Sequence, residues 1–226
     1  MGILYVVSTP IGNLEDITLR ALRILKEVDL IICEDTRHSQ ILFHKYEIKT
    51  LYTSYHQHSR IVKTEYIINE LKNGKNIAMI SDAGTPGICD PGGKLIELAA
   101  ENKISIIPIP GPSAVISALS ISGFPTDSFL FLGYLPKKKG RQTLLNKLQK
   151  ICDEKIYDSI VVYVSPYQVV RTFNDLNEKL GNKQVVVCRE LTKKFEEIYR
   201  GKLSEAHAYF TNKNPKGEFV ICIKND

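Results

Sequence analysis

Residues 81–93 read SDAGTPGICDPGG, with four glycines, two prolines and two aspartates in thirteen positions. They follow an apolar run, Ile77-Ala78-Met79-Ile80, and precede apolar residues at helical spacing, Leu95, Ile96, Leu98 and Ala99. Such a stretch reads as the carboxyl end of a buried parallel strand, where open α/β sheets bind ligands. Glycine admits positive φ and lets a ligand come close to the backbone, and proline stiffens the turn. Asp82, at the strand end, is placed to accept hydrogen bonds from a ligand hydroxyl or amine; the alternative is a long structural turn before a helix. Three more apolar runs end in polar loops: Ser8 to Asn13 after Ile3–Val7, Glu34 to His38 after Val28–Cys33, and Pro110 to Ser113 after Ile104–Ile109. Alternation puts loops 8–13, 34–38, 81–93 and 110–114 on one edge of one sheet.

The elements that position these loops alternate between β and α, the sign of a mostly parallel sheet with helices on its faces. Asn13 is a candidate helix cap with Asp16 near the positive end, and Ile17, Ala21, Ile24 and Val28 form the buried stripe. Ser59 is a cap for a helix through Leu71 closed by Asn73-Gly74, and Ser113 caps a short helix that stops at Gly123. Gly123-Phe124-Pro125-Thr126 marks a boundary between domains 1–122 and 123–226. The second domain reads as a strand at Phe129–Gly133, a basic loop at Pro136–Arg141, and a helix to about Ile151. Next come a strand at Ser159–Val164 and a helix capped by Ser165 with Pro166 at its first position. A strand at Gln184–Cys188 ends in Arg189-Glu190-Leu191-Thr192-Lys193. A closing strand, Glu218–Ile223, is entered through Asn214-Pro215-Lys216-Gly217.

Composition narrows the functional classes. The 226 residues suit two domains, and 43% apolar with 24% charged residues is a soluble globular balance. A net charge of +5 is compatible with an RNA partner. The five cysteines, Cys33, Cys89, Cys152, Cys188 and Cys222, have no metal or redox spacing and read as small buried hydrophobes in a reducing compartment. The first apolar run is too short for a signal peptide or membrane span, so a cytoplasmic protein is expected. No G-x-G-x-x-G follows the first strand and no G-x-x-x-x-G-K-[ST] is present, which argues against a dinucleotide or P-loop site. His56 and His58 lie two apart without a third ligand nearby in sequence, so no metal is expected and substrate contact or exposure is preferred. His207 reads as structural.

The whole chain resembles the tetrapyrrole-methylase superfamily. The motifs that carry the resemblance are TPIGNLEDITLRAL at 9–22, EDTRHS at 34–39, SYHQHS at 54–59 and SDAGTPGICDPG at 81–92. They continue with PIPGPSA at 108–114, SGFPTDSFLFLGYLP at 122–136, RELTKKFEE at 189–197 and PKGEFV at 215–220. Methylases of precorrin, uroporphyrinogen and diphthine usually carry G-x-G-P-G-D after the first strand. Here Thr9-Pro10-Ile11-Gly12-Asn13 stands there, and the chain is similar instead to the branch that methylates a cytidine ribose 2′-hydroxyl in 16S ribosomal RNA.

That resemblance implies two α/β domains, each with a mostly parallel or mixed sheet flanked by helices. It further implies S-adenosyl-L-methionine in the cleft between them, a homodimer, and small-subunit ribosomal RNA as the partner. Carried over by position, the cofactor residues are Pro10, Ser81, Asp82, Ala83, Gly84, Ile88, Ser113 and Ala114, with Tyr163, Leu191, Lys216 and Gly217 closing from the second domain. Methyl transfer from a sulfonium is an in-line displacement dominated by positioning, and a 2′-hydroxyl needs a proton acceptor. Asp35 is the candidate acceptor and Arg37 steers phosphate or orients it; alternatively the two only pair and tie the loop down. Lys137, Lys138, Lys139, Arg141 and His56 are candidate RNA contacts. Where relatives often read Tyr-Glu-Ser-Pro-His-Arg, this chain has Tyr163-Val164-Ser165-Pro166-Tyr167-Gln168. Many relatives also continue into a small C-terminal helical extension, whereas this sequence stops just after its closing strand, so a greater reliance on the core surface to grip RNA is expected. The alternatives are a methylase of a small tetrapyrrole-like acceptor and a non-catalytic ribosome-binding protein that kept the fold.

Overall fold

The computed structural model describes residues 1–56, 61–213 and 216–226. Within it the chain divides into two compact units, Met1–Ser113 and Ala114–Asp226. The first unit is built on β1 (Ile3–Val7), β2 (Leu30–Cys33), β3 (Tyr52–Ser54), β4 (Ile77–Met79) and β5 (Ser105–Ile109). Its order is β3-β2-β4-β1-β5, and every pairing is parallel. The helices are α1 (Leu19–Glu27), α2 (Thr36–Lys45), α3 (Ile61–Lys72) and α4 (Gly93–Glu101).

Period-two alternation sorts the strand residues between the two faces. Ala78 packs with Ala21, Ile24 and Leu25 of α1 and Leu42 and Phe43 of α2, whereas Ile77 and Met79 pack with Ile67 and Leu71 of α3 and Leu95 and Ala99 of α4. The helix that follows β4 therefore lies on one face, and the helices that follow its two neighbours, β1 and β2, lie on the other. That is the topological switch at which open α/β sheets form a ligand crevice, at the carboxyl end of β4.

The second unit opens with α5 (Ala114–Ser122), which packs on the sheet of that unit against β8 and β10. The boundary expected at 122/123 had placed this helix with the first domain. Its strands are β6 (Phe129–Tyr134), β7 (Ser159–Val164), β8 (Gln184–Arg189), β9 (Glu197–Lys202) and β10 (Phe219–Lys224), in the order β6-β7-β10-β8-β9. Only β6 and β7 run parallel; the other pairings are antiparallel. With α6 (Arg141–Asp153), α7 (Val169–Leu180) and α8 (Leu203–Thr211) it encloses one core around Ile160, Val162, Phe173, Phe210 and Ile221.

Several local expectations shift. Asn13 caps only a short 3-10 helix, Leu14–Asp16, accepting from the Glu15 amide, and α1 starts under Thr18, whose hydroxyl accepts from the Ala21 amide at 3.1 Å. Helix α7 starts at Val169 rather than after Ser165, because the Gln168 amide donates to the Ser165 carbonyl at 2.9 Å and closes a turn there. The Ser59 cap, His58, and the Asn214-Pro215 entry to β10 lie outside the described residues. Cys33, Cys152, Cys188 and Cys222 are buried and Cys89 is exposed; burial pushes the Cys188 thiol to about 11 and the Cys222 thiol to about 12, which leaves them inert. Among the described residues no helix is long and apolar enough to cross a membrane.

Candidate active site

Because the first sheet is wholly parallel, the loops after β1, β2, β4 and β5 leave it at one edge. They are tied to each other there. Thr9 and Gly84 exchange backbone hydrogen bonds at 2.9 and 3.0 Å, the Thr9 hydroxyl donates to the Ser81 carbonyl at 2.9 Å, and the Ser8 and Thr85 hydroxyls pair at 2.9 Å. The Ser8 amide reaches the Ile109 carbonyl at 3.2 Å, which draws in the loop after β5. Gly84 is buried at φ +79°, the left-handed region that favours glycine. Gly111 needs to be glycine for another reason: a Cβ there would stand 2.9 Å from that of Ser8.

Among the predicted cofactor residues of this unit, Pro10 and Ser81 are buried, Asp82 and Ser113 half-buried, and Ala83 and Ile88 exposed. Asp82 carries a structural task as well, since its carboxylate accepts the Asp35 amide at 3.0 Å and joins the β4 loop to the β2 loop.

Asp35 is the N-cap of α2, and its Oδ1 accepts the Arg37 amide at 2.8 Å. The Arg37 guanidinium closes a fork on the same carboxylate, Nε to Oδ1 at 3.1 Å and Nη2 to Oδ2 at 2.7 Å. Those hydrogen bonds hold the Asp35 carboxyl at about 2. Its neighbour Glu34, which the sequence reading passed over, goes the other way. Burial first, and then the negative charge of Asp82, raise the Glu34 carboxyl, with His56 opposing them. His56 itself is exposed just beyond β3 on the same edge.

In the second unit the remaining predicted residues also gather at one edge of their sheet. The Tyr163 hydroxyl accepts the Val115 amide at 3.2 Å, and its ring packs edge-on against Phe131 and Tyr134. Ala114 opens α5 beside that contact. Leu191 is buried between two residues at positive φ, Glu190 and Thr192. Arg189 donates to the Lys216 carbonyl at 2.6 Å, and Glu190 Oε1 accepts the Glu218 amide at 2.9 Å. A Cβ on Gly217, at φ +95°, would stand 2.5 Å from the Glu190 side chain. The Arg189-Glu190 pair therefore fixes the shape of the Lys216-Gly217 segment.

Lys137, Lys138 and Lys139 are exposed, as a phosphate-binding loop requires. Arg141 is not available for RNA. It is 1% exposed, and its guanidinium is committed to Asp175 at 2.6 Å, Thr172 at 3.0 Å and the Pro136 carbonyl at 3.1 Å. Spacing alone joins it to the lysines; the acceptors on α7 that bury it are more than thirty residues away in sequence. Among the described residues no cluster suited to a metal ion occurs.

Residues 3–207 match the family described as Tetrapyrrole (Corrin/Porphyrin) Methylases. A Synechocystis relative, named ribosomal RNA small subunit methyltransferase I, is 48% identical over 99% of this chain and 79% of its own length. A Thermotoga maritima relative of the same name is 44% identical over 99% of this chain and 98% of its own length. Among solved structures, the Thermus thermophilus uroporphyrin-III C-methyltransferase complexed with S-adenyl homocysteine aligns with a TM-score of 0.66 at 16% identity, covering 98% of this chain and 97% of that one. At that identity the likeness speaks to fold, and the fold agrees. The chain thus belongs to the tetrapyrrole (corrin/porphyrin) methylases, a family of S-adenosylmethionine-dependent enzymes, in the group of ribosomal RNA small subunit methyltransferase I.

Proposed function

We propose that this protein transfers a methyl group from S-adenosyl-L-methionine to the ribose 2′-hydroxyl of a cytidine in 16S ribosomal RNA, acting on the small ribosomal subunit in the cytoplasm. The observation that carries the reading is identity of 44–48% over nearly the whole chain with relatives named for small-subunit ribosomal RNA. The cytidine and the 2′-oxygen come from the motif resemblance.

The crevice residues fit the cofactor. Ala83 and the half-exposed Ile88 offer apolar surface to an adenine, while Asp82 and the Ser81 and Ser113 hydroxyls offer polar groups to ribose and amino-acid moieties. Pro10 stiffens the facing loop, and Ala114 adds backbone. The contributions proposed for Tyr163, Leu191, Lys216 and Gly217 rest on the resemblance. S-adenosylmethionine, when bound, supplies a methyl already activated on a sulfonium, so the chain has to align acceptor and donor and take up one proton.

Asp35 is a weak choice for that proton. A carboxyl at about 2, with both oxygens engaged by Arg37, has little affinity for it. Glu34, raised by burial and by Asp82, holds a proton more tightly and is the acceptor in this proposal. Asp35 becomes the positioning group that aims Arg37 at a phosphate, and His56 lies on the same RNA side. A homodimer is proposed on the same resemblance, with sedimentation equilibrium as its test.

The functional test supplies purified protein with methyl-tritiated S-adenosylmethionine and, in parallel, small ribosomal subunits or a uroporphyrinogen. Label in the ribosomal RNA and none in the tetrapyrrole is the expected result. Label in the tetrapyrrole alone, or in neither, contradicts the proposal.

A further inference from the structure

The carboxyl ends of β6, β7 and β8 and the start of β10 share one edge of the second sheet, because β10 runs against β7 and β8 while β6 runs with β7. The loop after β6 presents Lys137, Lys138 and Lys139, all exposed, and no ion pair among the described residues engages them. The loop is held in place from below. Arg141 is buried against Asp175 and Thr172 of α7, and Arg171 of α7 donates to the Lys137 carbonyl at 3.2 Å. The backbone at Pro136 and Lys137 is therefore tied to α7 and to Arg141. The turn that leads into α7 carries Tyr167, which is 96% exposed and stands on a backbone closed by the hydrogen bond from the Gln168 amide to the Ser165 carbonyl.

A lone exposed tyrosine is ordinary protein surface. A tyrosine on a closed turn at the head of the same helix that ties down a loop of three exposed lysines is a different arrangement. It supplies the two things a single-stranded nucleic acid takes from a protein, cations for its phosphates and a flat ring for a base. An acidic protein segment would also pair with the lysines, so polyglutamate serves as the competing outcome in the test.

We infer that Tyr167 stacks on a base of a single-stranded stretch of RNA whose phosphates lie on Lys137, Lys138 and Lys139. The inference rests on the RNA substrate proposed above and adds how the strand is held.

The chain contains no tryptophan, so Tyr167→Trp introduces a single reporter at the proposed contact. Its fluorescence is titrated with a single-stranded oligoribonucleotide, an abasic ribose-phosphate oligomer of equal length, and polyglutamate. Quenching by the oligoribonucleotide alone is expected. Affinity of Tyr167→Ala for the oligoribonucleotide falls about tenfold or more, with the salt dependence unchanged, as loss of one stacked base requires. Lys137→Ala, Lys138→Ala and Lys139→Ala together instead flatten the slope of log affinity against log salt by about two units. Equal quenching by polyglutamate or the abasic oligomer, or wild-type affinity in Tyr167→Ala, overturns the inference. These are binding readouts, so they separate from the reaction. Methylation of ribosomal RNA without any dependence on Tyr167 leaves the proposed function standing and removes the stacking role. Base-dependent binding without methyl transfer does the reverse.

Discussion

Two adjacent carboxylates at the end of β2 have opposite surroundings, and the proposed division of work between them follows from that. Arg37 grips Asp35 in a fork and holds it ionised to about pH 2, whereas burial and the charge of Asp82 raise Glu34. Glu34→Gln keeps the shape and removes the proton acceptor, so the methylation rate falls by about a hundredfold while affinity for S-adenosylmethionine is unchanged. Asp35→Asn retains an oxygen to cap α2 and loses the charge that aims Arg37, so its rate falls less and its affinity for RNA falls more. In the wild type, activity drops as pH falls through the raised Glu34 value, and Glu34→Gln lacks that acid limb. Steady-state rates across pH for both variants check the division; a more severe loss of rate in Asp35→Asn than in Glu34→Gln would reverse it.

Short elements hold the loops in place, and two of them make distinct demands. At the head of α4, Gly92 sits at φ +126°, and a Cβ there would lie 2.7 Å from the Met79 sulfur, whereas Gly93 has open space around it. Gly92→Ala therefore destabilises the fold by about 1–2 kcal/mol or more from backbone strain alone. Gly93→Ala, in the first turn of the helix, is neutral or stabilising by up to about 1 kcal/mol. Urea denaturation of the pair checks this, and equal midpoints would contradict it. At β9, burial pushes the Glu197 carboxyl up, but hydrogen bonds from Lys213 at 2.7 Å, Tyr209 at 2.6 Å and Arg189 at 3.0 Å outweigh it and bring it from 4.5 to about 2. A carboxyl lowered on folding adds stability that is present above 4.5 and lost as pH falls toward 2. The gap in melting temperature between wild type and Glu197→Gln closes over that window; a gap that stays constant means the ionisation of Glu197 adds nothing to stability.

At the scale of the whole chain, the long apolar strands and the glycine-rich loops were legible because each has a strong local cause. Ile3–Val7 and Ser159–Val164 are apolar runs bounded by turn residues, and both are strands with those bounds. Two of the edge strands, β3 and β9, were not legible. Tyr52–Ser54 is three residues long, and Glu197–Lys202 carries Glu197, Arg200 and Lys202, so neither shows the apolar alternation that marks a strand. Helix α2 was hidden because its cap, Asp35, belongs to a stretch that reads as a ligand loop. In the site, sequence reached the crevice residues through their motifs. It missed the burial of Arg141, whose partners lie on α7, and the opposite shifts of Glu34 and Asp35, which depend on Arg37 and Asp82 in space. The central claim is ribose methylation of a cytidine in small-subunit RNA, and mass spectrometry of nucleosides from that RNA, before and after treatment with the protein and S-adenosylmethionine, tests it most directly. The account predicts new 2′-O-methylcytidine, lost in Glu34→Gln. Methyl groups on a base, or on no nucleoside at all, would contradict it.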